Sequence, residues 1–374
     1  MKYYMVAGER SGDLHGGNLL KAIKPLDNSA DFRGFGGDYM RNEGLDLVVH
    51  YNQMAFMGLA ALITNAKTIY DRIKFCKADI LTYRPDVVVL IDYGGFNRRI
   101  AKFCKANGIL VFYYISPKVW AWYTSRAWEL KRNVDRMFVI LPFEKQFFKQ
   151  FDFEVDYVGN PVLDSVKAFT PDRDFRKKND FVEGKKIVAL LPGSRKMELK
   201  RMIPIMAEVV RMNPQFQFVV AAIETLPEGL YEPLRTNSFV KFVYNATYDL
   251  LKIADAAIVT SGTATLETGL FNVPQVVIYK GGKLEIAIIR MLVKVPFISL
   301  INLIANKPVI KELIQHDANF NTIDAELKKL LSDGQYRKTM IRQYESIYQT
   351  LDIGSASENA ASLMVSYLSK QKDG

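Results

Sequence analysis

Tyr3-Tyr4-Met5-Val6-Ala7 runs without a break into Gly8-Glu9-Arg10-Ser11-Gly12-Asp13-Leu14-His15-Gly16-Gly17 at the start of this chain. The short apolar run predicts a buried strand. The glycines after it predict a tight turn, and Ser11 or Asp13 is placed to cap a helix that follows. A strand that feeds a helix through a glycine turn points to a parallel α/β sheet with a site at the strand's carboxyl end. The spacing fits neither the dinucleotide pattern G-x-G-x-x-G nor the phosphate loop G-x-x-x-x-G-K-[ST]. Taken alone, the turn is as readily architectural as functional.

A length of 374 residues exceeds one ordinary core, so two domains are expected. An apolar share of 49% and a mean hydropathy of −0.02 describe a soluble globular chain. Cys76 and Cys104 sit in apolar, helix-like contexts and read as reduced core residues of a cytosolic protein rather than a disulfide or metal pair. The amino terminus has no basic region, apolar stretch and small-residue cleavage site in succession, so no export signal is expected. A net charge of +10 favours an anionic partner: a phosphate-bearing small molecule, an acidic membrane surface or nucleic acid. The most apolar window, Leu284 to Ala305, is interrupted by Glu285, Arg290, Lys294, Pro296 and Asn302, which argues against a spanning helix of about 20 apolar residues. Met54 to Thr64 is too short to span. Either stretch suits a core helix or an apolar face lying on a membrane.

Strands and helices alternate along the first half. Phe32 to Phe35 closes in Gly36-Gly37, and Ala66 to Leu81 has helical spacing. Val87-Val88-Val89-Leu90-Ile91 is continuously apolar, as a strand buried on both sides requires, and it ends in Asp92-Tyr93-Gly94-Gly95-Phe96-Asn97. Ile109–Ile115, Met137–Leu141 and Val155–Val158 complete the set, and the half closes near Gly159-Asn160-Pro161. Lys167–Lys186 reads as a charged linker or surface helix. The pattern then restarts with Lys186–Leu191 and the turn Pro192-Gly193-Ser194-Arg195. Phe216–Ala222, Phe239–Tyr244, Ala256–Val259 and Val276–Tyr279 follow as strands. The fold class is α/β: two Rossmann-like, doubly wound parallel-sheet domains facing a cleft.

Ser261-Gly262-Thr263-Ala264 lies between an apolar strand and a helix, where backbone N–H groups, a hydroxyl and the positive helix end suit a diphosphate. Pro192-Gly193-Ser194-Arg195 offers the same backbone plus a guanidinium able to contact phosphate in bidentate fashion. Glu267, one turn past Thr263, is placed to accept from ribose hydroxyls, or is simply a first-turn acid. Asp92, at the end of the most apolar strand, is a candidate general base or a helix cap. His15, His50 and His316 are too scattered for a metal set, and Asp172-Arg173-Asp174 lies in the charged linker rather than at a strand end. Trp120, Trp122, Tyr123 and Trp128 interleave with Lys118, Arg126, Lys131 and Arg132. Such a mixture stacks bases, sits at a lipid interface, or packs under cationic stems.

These residues resemble the lipid-A-disaccharide synthases, nucleotide-sugar glycosyltransferases of the two-Rossmann GT-B type. The matching stretches run in order from Ala7–Asp13, Gly36-Gly37 with Met40, Met57-Gly58, and Ile91-Asp92 with Phe96-Asn97. They continue through Tyr114–Trp122, Leu141-Pro142-Phe143-Glu144, Leu191–Arg195, Ser261–Glu267 and Ser299–Leu303. The chain departs from the family pattern twice. Gly94-Gly95 stands where the family often has Pro-Asp, leaving Asp92 as the only carboxylate at that strand end. Asn160 stands where a histidine is common.

The resemblance implies that UDP-2,3-diacylglucosamine donates its sugar to 2,3-diacylglucosamine 1-phosphate (lipid X), giving the lipid A disaccharide 1-phosphate of lipopolysaccharide, and UDP. It implies residues 1–165 as the acceptor-side domain, 166–350 as the UDP-sugar domain and 351–374 as a helix returning to the first. Asp92 is then the base. Ser194, Arg195, Gly262 and Thr263 hold the diphosphate beside Ser261, Glu267 takes the ribose, Asn302 lines the donor side and Tyr244 edges the uracil. Glu9, Ser11, Asp13 and Met57 lie on the acceptor side. No cofactor, metal or nucleic acid is implied. A cytoplasmic enzyme held peripherally on the inner leaflet, with room for a homodimer, fits the positive charge. Two other readings stay open: another GT-B enzyme on a UDP-sugar, such as an epimerase or a peptidoglycan-type transferase, and a non-catalytic membrane- or RNA-binding protein.

Overall fold

Lys2–Ala7 forms strand β1, and Tyr3 to Ala7 are fully buried. The computed structural model describes residues 1–54, 66–121, 123–282 and 296–372. The chain divides into two units, Met1–Pro161 with Ile353–Gly374, and Val162–Asp352.

In the first unit β1 lies inside a parallel sheet with β2 (Asp31–Gly36), β3 (Asp46–His50), β4 (Val87–Ile91), β5 (Val111–Tyr114), β6 (Arg136–Val139) and β7 (Asp156–Tyr157). The strand order is β3-β2-β1-β4-β5-β6-β7. Alternate residues of the central strands feed two separate cores, as the two-residue period of a strand dictates. Tyr4, Val6, Val88 and Leu90 pack with Ile73, Cys76, Ile100 and Cys104 of helices Ala66–Tyr83 and Gly94–Ala106. Tyr3, Met5, Val87 and Val89 pack with Leu19 and Leu20 of helix Arg10–Ile23, and with Ala360, Met364 and Leu368 of helix Ala356–Lys372. Layers on both faces are why these strands are apolar at every position. Cys76 and Cys104 are free thiols within the first core, and burial pushes the Cys104 thiol up to about 12.

The second unit repeats the plan with β8 (Ile187–Leu191), β9 (Gln217–Ala222), β10 (Lys241–Tyr244), β11 (Ala256–Thr260), β12 (Gln275–Tyr279) and β13 (Lys311–Ile314). The order is β10-β9-β8-β11-β12-β13, and the strand pairs are parallel. Helix Lys196–Met212 covers one face through Leu199, Met202, Ile203 and Met206.

Two sequence expectations need correcting, and a third stretch takes the helical form of its reading. The first helix begins at Arg10 with Glu9 at its cap position, so neither Ser11 nor Asp13 caps it. The edge strands β3 and β13 were not expected. The charged stretch 167–186 contains part of helix Pro161–Ala168 and the short helix Phe175–Lys178, whose Phe175 is buried. Of the two long apolar windows, residues 55–65 and 283–295 lie outside the described residues, whereas Leu300–Ala305 is a helix. No helix among the described residues is long and apolar enough to cross a membrane.

Candidate active site

Each sheet reverses its strand order once. In the first unit the reversal falls between β1 and β4, where Ala7 pairs with Ile91. In the second it falls between β8 and β11, where Val259 pairs with Leu191. At such a point the connections leave in opposite directions and open a crevice at the carboxyl ends of the strands. The first crevice is flanked by Gly8-Glu9 and Asp92, the second by Pro192–Arg195 and Ser261–Thr263.

Asp92 and Tyr93 both adopt left-handed backbone, with φ of 45° and 47°. Each such non-glycine residue costs about 1–2 kcal/mol, so the kink persists only where neighbours hold it. Asn97 Nδ2 donates to the Asp92 carbonyl at 2.8 Å and to the Ile91 carbonyl at 3.2 Å. The Tyr113 hydroxyl donates to the same Asp92 carbonyl at 2.5 Å. Tyr93 donates to the Met54 carbonyl at 2.9 Å, and its ring lies so close over Gly8 that a Cβ there would come within 2.2 Å of it. Burial pushes the Asp92 carboxyl up to about 6, Glu9 adds to the shift, and Lys118 and the Tyr93 amide oppose it. A carboxylate tuned in this way suits a general base working near neutrality.

The other acceptor-side candidates separate. Glu9 acts directly on Asp92, and Ser11 is exposed on the first turn of its helix. Asp13 is 1% exposed and accepts the amides of Gly37 (2.7 Å), Met40 (3.0 Å) and Tyr39 (3.1 Å). It caps the next helix, Asp38–Asn42, rather than facing a ligand. Met57 lies outside the described residues. Asn160 is buried and donates to the Ile140 carbonyl at 3.0 Å.

The Ser-Pro-x-Val-Trp block has a structural partner that its sequence did not reveal. Glu144, 2% exposed, accepts from Ser116 Oγ (2.5 Å), Trp120 Nε1 (3.1 Å) and the amides of Leu141 (2.9 Å) and Ile140 (3.2 Å). Trp120 is buried edge-on to Phe143, so it is packing, whereas Trp128 is exposed. Trp122 lies outside the described residues.

In the second unit, Glu198 Oε2 accepts the amides of Ser194 (2.9 Å) and Arg195 (3.2 Å). The backbone donors of that turn are therefore already satisfied by an internal anion. The Arg195 guanidinium is 64% exposed, 3.5 Å from Glu198. Across the switch point, Gly262 and Thr263 are exposed, and their amides donate to no group among the described residues. Ser261 Oγ ties this turn to the Ile298 carbonyl at 2.8 Å. Glu267 is raised by burial and accepts from the Tyr248 hydroxyl at 3.1 Å. Tyr244 ends β10, two strands or about 10 Å from β8. Its hydroxyl accepts from Arg235 at 2.6 Å.

Asn302 departs from its expected role. Its Nδ2 donates to the Ile310 carbonyl and Glu312 (both 2.9 Å), and its Oδ1 accepts from the Val309 (2.8 Å) and Ile310 (3.0 Å) amides. A carboxamide has two donors and two acceptor sites, so this one is saturated and has nothing left for a sugar.

Comparison with known proteins bears on the whole chain. The family model described as lipid-A-disaccharide synthetase matches residues 3–365. The lipid-A-disaccharide synthase of Syntrophus aciditrophicus is 39% identical over 373 residues, covering 98% of this chain and 97% of that protein. Its counterpart in Geobacter sulfurreducens is 35% identical over 374 residues with the same coverage. Among solved structures, the UDP-GlcNAc 2-epimerase from Neisseria meningitidis bound to UDP-GlcNAc has a TM-score of 0.67 at 14% identity, covering 99% of this chain and 100% of that one. The glycotransferase of kitacinnamycin has a TM-score of 0.66 at 13% identity, covering 98% of this chain and 99% of that one. At such low identity these structures speak for the GT-B fold alone. The family match and the synthase relatives go further: the chain belongs to the lipid-A-disaccharide synthase family, enzymes of the GT-B glycosyltransferase fold.

Proposed function

We propose that the two units divide the chemistry of an inverting hexosyl transfer. The donor is UDP-2,3-diacylglucosamine and the acceptor 2,3-diacylglucosamine 1-phosphate. The acceptor hydroxyl attacks the anomeric carbon, its proton passes to the Asp92 carboxylate, and the bond from that carbon to the diphosphate oxygen breaks. UDP leaves with the electron pair, and the β-1,6-linked disaccharide 1-phosphate remains. A positioned base and stabilisation of the departing charge are the two needs of such a step.

The observation that carries this reading is the poise of Asp92 at a kinked strand end beside Glu9 and Lys118. For the leaving group, Arg195 supplies an exposed guanidinium and Gly262-Thr263 supply free amides, with Ser194 and Ser261 flanking them. Glu267 is the ribose acceptor and Tyr244 an edge of the uracil site. Asp13 and Asn302 are left out because their polar atoms are committed internally. The unit Val162–Asp352 serves the donor, and the unit of Met1–Pro161 with Ile353–Gly374 the acceptor. The enzyme works in the cytoplasm against the inner leaflet, where its positive charge holds it to anionic lipid.

A two-substrate assay tests the reading. UDP should appear from UDP-2,3-diacylglucosamine only when the acylated acceptor is present, together with a disaccharide product. Release of UDP or epimerised donor without acceptor would instead identify a different GT-B activity.

A further inference from the structure

Helices Ala66–Tyr83 and Gly94–Ala106 of the first unit leave a groove of about 880 Å³ between them. Its size lies within the range of about 300–1,000 Å³ typical of ligand sites. Ile69 and Ile73, one turn apart on one helix, and Phe103 on the other form an apolar floor. Lys77, Arg99 and Lys102 stand along the rim. None of the three pairs with a carboxylate among the described residues, and Lys77 Nζ lies 5.1 Å from the centre of the Phe103 ring.

A second hollow adjoins the groove through shared lining residues. Gly95 and Arg98 also line this hollow of about 320 Å³, together with Gly94, Pro117, Lys118 and Arg126. Lys118 is the cation that acts on the Asp92 carboxyl, and Gly95 stands three residues past Asp92. Gly95 is exposed and nothing lies within 4 Å of where its side chain would begin, so a larger side chain fits between the two hollows without a clash. An apolar trough with a cationic border, next to a small hollow that holds Lys118 and Arg126, suits an anionic amphiphile.

We propose that this groove seats an acyl chain of the acceptor, with the sugar phosphate in the hollow at Lys118 and Arg126. The inference rests on the reading of the acceptor as an acylated sugar phosphate. It assigns that molecule's chain to Ile69, Ile73 and Phe103, and its charge to the bordering cations. The departure from the family pattern at Gly94-Gly95 keeps the junction free of both a side chain and a carboxylate.

The test is direct binding of 2,3-diacylglucosamine 1-phosphate of graded acyl length to the full chain. It uses Gly95→Leu, which blocks the junction in open space, and the exposed pair Arg99→Ala/Lys102→Ala. Both variants should bind the long-chain acceptor about tenfold more weakly, while UDP affinity is unchanged. Gly95→Leu should spare the shortest-chain acceptor. Binding to anionic phospholipid vesicles is measured in parallel. Equal loss of vesicle and acceptor binding would make the groove a bilayer contact and overturn the proposal, as would unaltered acceptor binding in both variants. If the unaltered chain binds the acceptor but transfers no sugar to it, the functional reading fails while the groove assignment stands.

Discussion

Glu198 Oε2 sits 2.9 Å from the Ser194 amide nitrogen and fills the turn after β8 with a carboxylate. Gly193 is required there, because it has a φ of 108° and a Cβ would lie 2.5 Å from that oxygen. With the amides of Ser194 and Arg195 engaged, the phosphate contact of this turn falls to the Arg195 guanidinium. Arg195→Ala should weaken UDP binding by about 1.5–3 kcal/mol, the worth of a charged hydrogen bond, without lowering the melting temperature. Glu198→Ala should instead destabilise the fold by about 1 kcal/mol through loss of the helix cap. Calorimetric titration with UDP and thermal melts separate the two, and unchanged UDP affinity in Arg195→Ala would remove the phosphate assignment.

Asp92 makes rate and stability respond to pH in opposite senses. Its carboxyl rises from the ordinary value of 3.8 to about 6 on folding. The proton is therefore held more tightly in the folded state. The stability this confers is complete below pH 4 and is lost as the pH rises through 6. A base must be ionised, so kcat/KM should climb as pH rises through about 6. Asp92→Asn should lower the rate by about 10²–10⁴-fold. The same variant should be about 3 kcal/mol more stable than the unaltered chain at pH 8, with the gain shrinking towards pH 4. A near-normal disaccharide-forming rate in Asp92→Asn would exclude it as the base.

The interior strands were legible because burial on both faces leaves an uninterrupted apolar run, as in Val87–Ile91. The edges were not. Strand β3 opens with Asp46, and only Leu313 is buried in β13, because an edge strand keeps polar residues towards solvent. The turns after β4, β8 and β11 could be located from the same runs. What could not be read was which polar groups remain free. Asp13 and Asn302 belong to the residue types that bind ligands, yet the atoms of Asp13 are consumed by backbone amides 24–27 residues away and those of Asn302 by Val309, Ile310 and Glu312. Glu198, Asn97 and Tyr113 carried no sign of their roles, since holding a turn or a kink is a property of the folded contacts.

Asp13 gives a prediction that divides a clamp from a ligand. Its two oxygens receive three backbone amides in a buried setting. Asp13→Ala would leave those donors unsatisfied, at a cost of about 2–4 kcal/mol. Asp13→Asn, which keeps one acceptor oxygen, should lose less. Denaturant unfolding should show the graded loss, with the acceptor KM of the Asn variant close to normal. A raised acceptor KM without loss of stability would instead return Asp13 to the acceptor site.

Glu144 joins the turns after β5 and β6, and each of its four partners is a donor. An acceptor-only side chain is required, which ionised glutamate provides and glutamine does not. Burial pushes its carboxyl up, and the Ser116, Leu141, Trp120 and Ile140 donors oppose that shift. Glu144→Gln would turn an amide N–H towards at least one of these donors. Trp120→Phe keeps the edge-on contact with Phe143 and removes only the indole N–H. Urea unfolding should place Trp120→Phe about 1–3 kcal/mol below the unaltered chain and Glu144→Gln lower still. Because Glu144 and the candidate UDP residues belong to different units with separate cores, UDP affinity should not move in either variant. A fall in UDP affinity with stability unchanged would mean that the tryptophan block serves the donor rather than the fold.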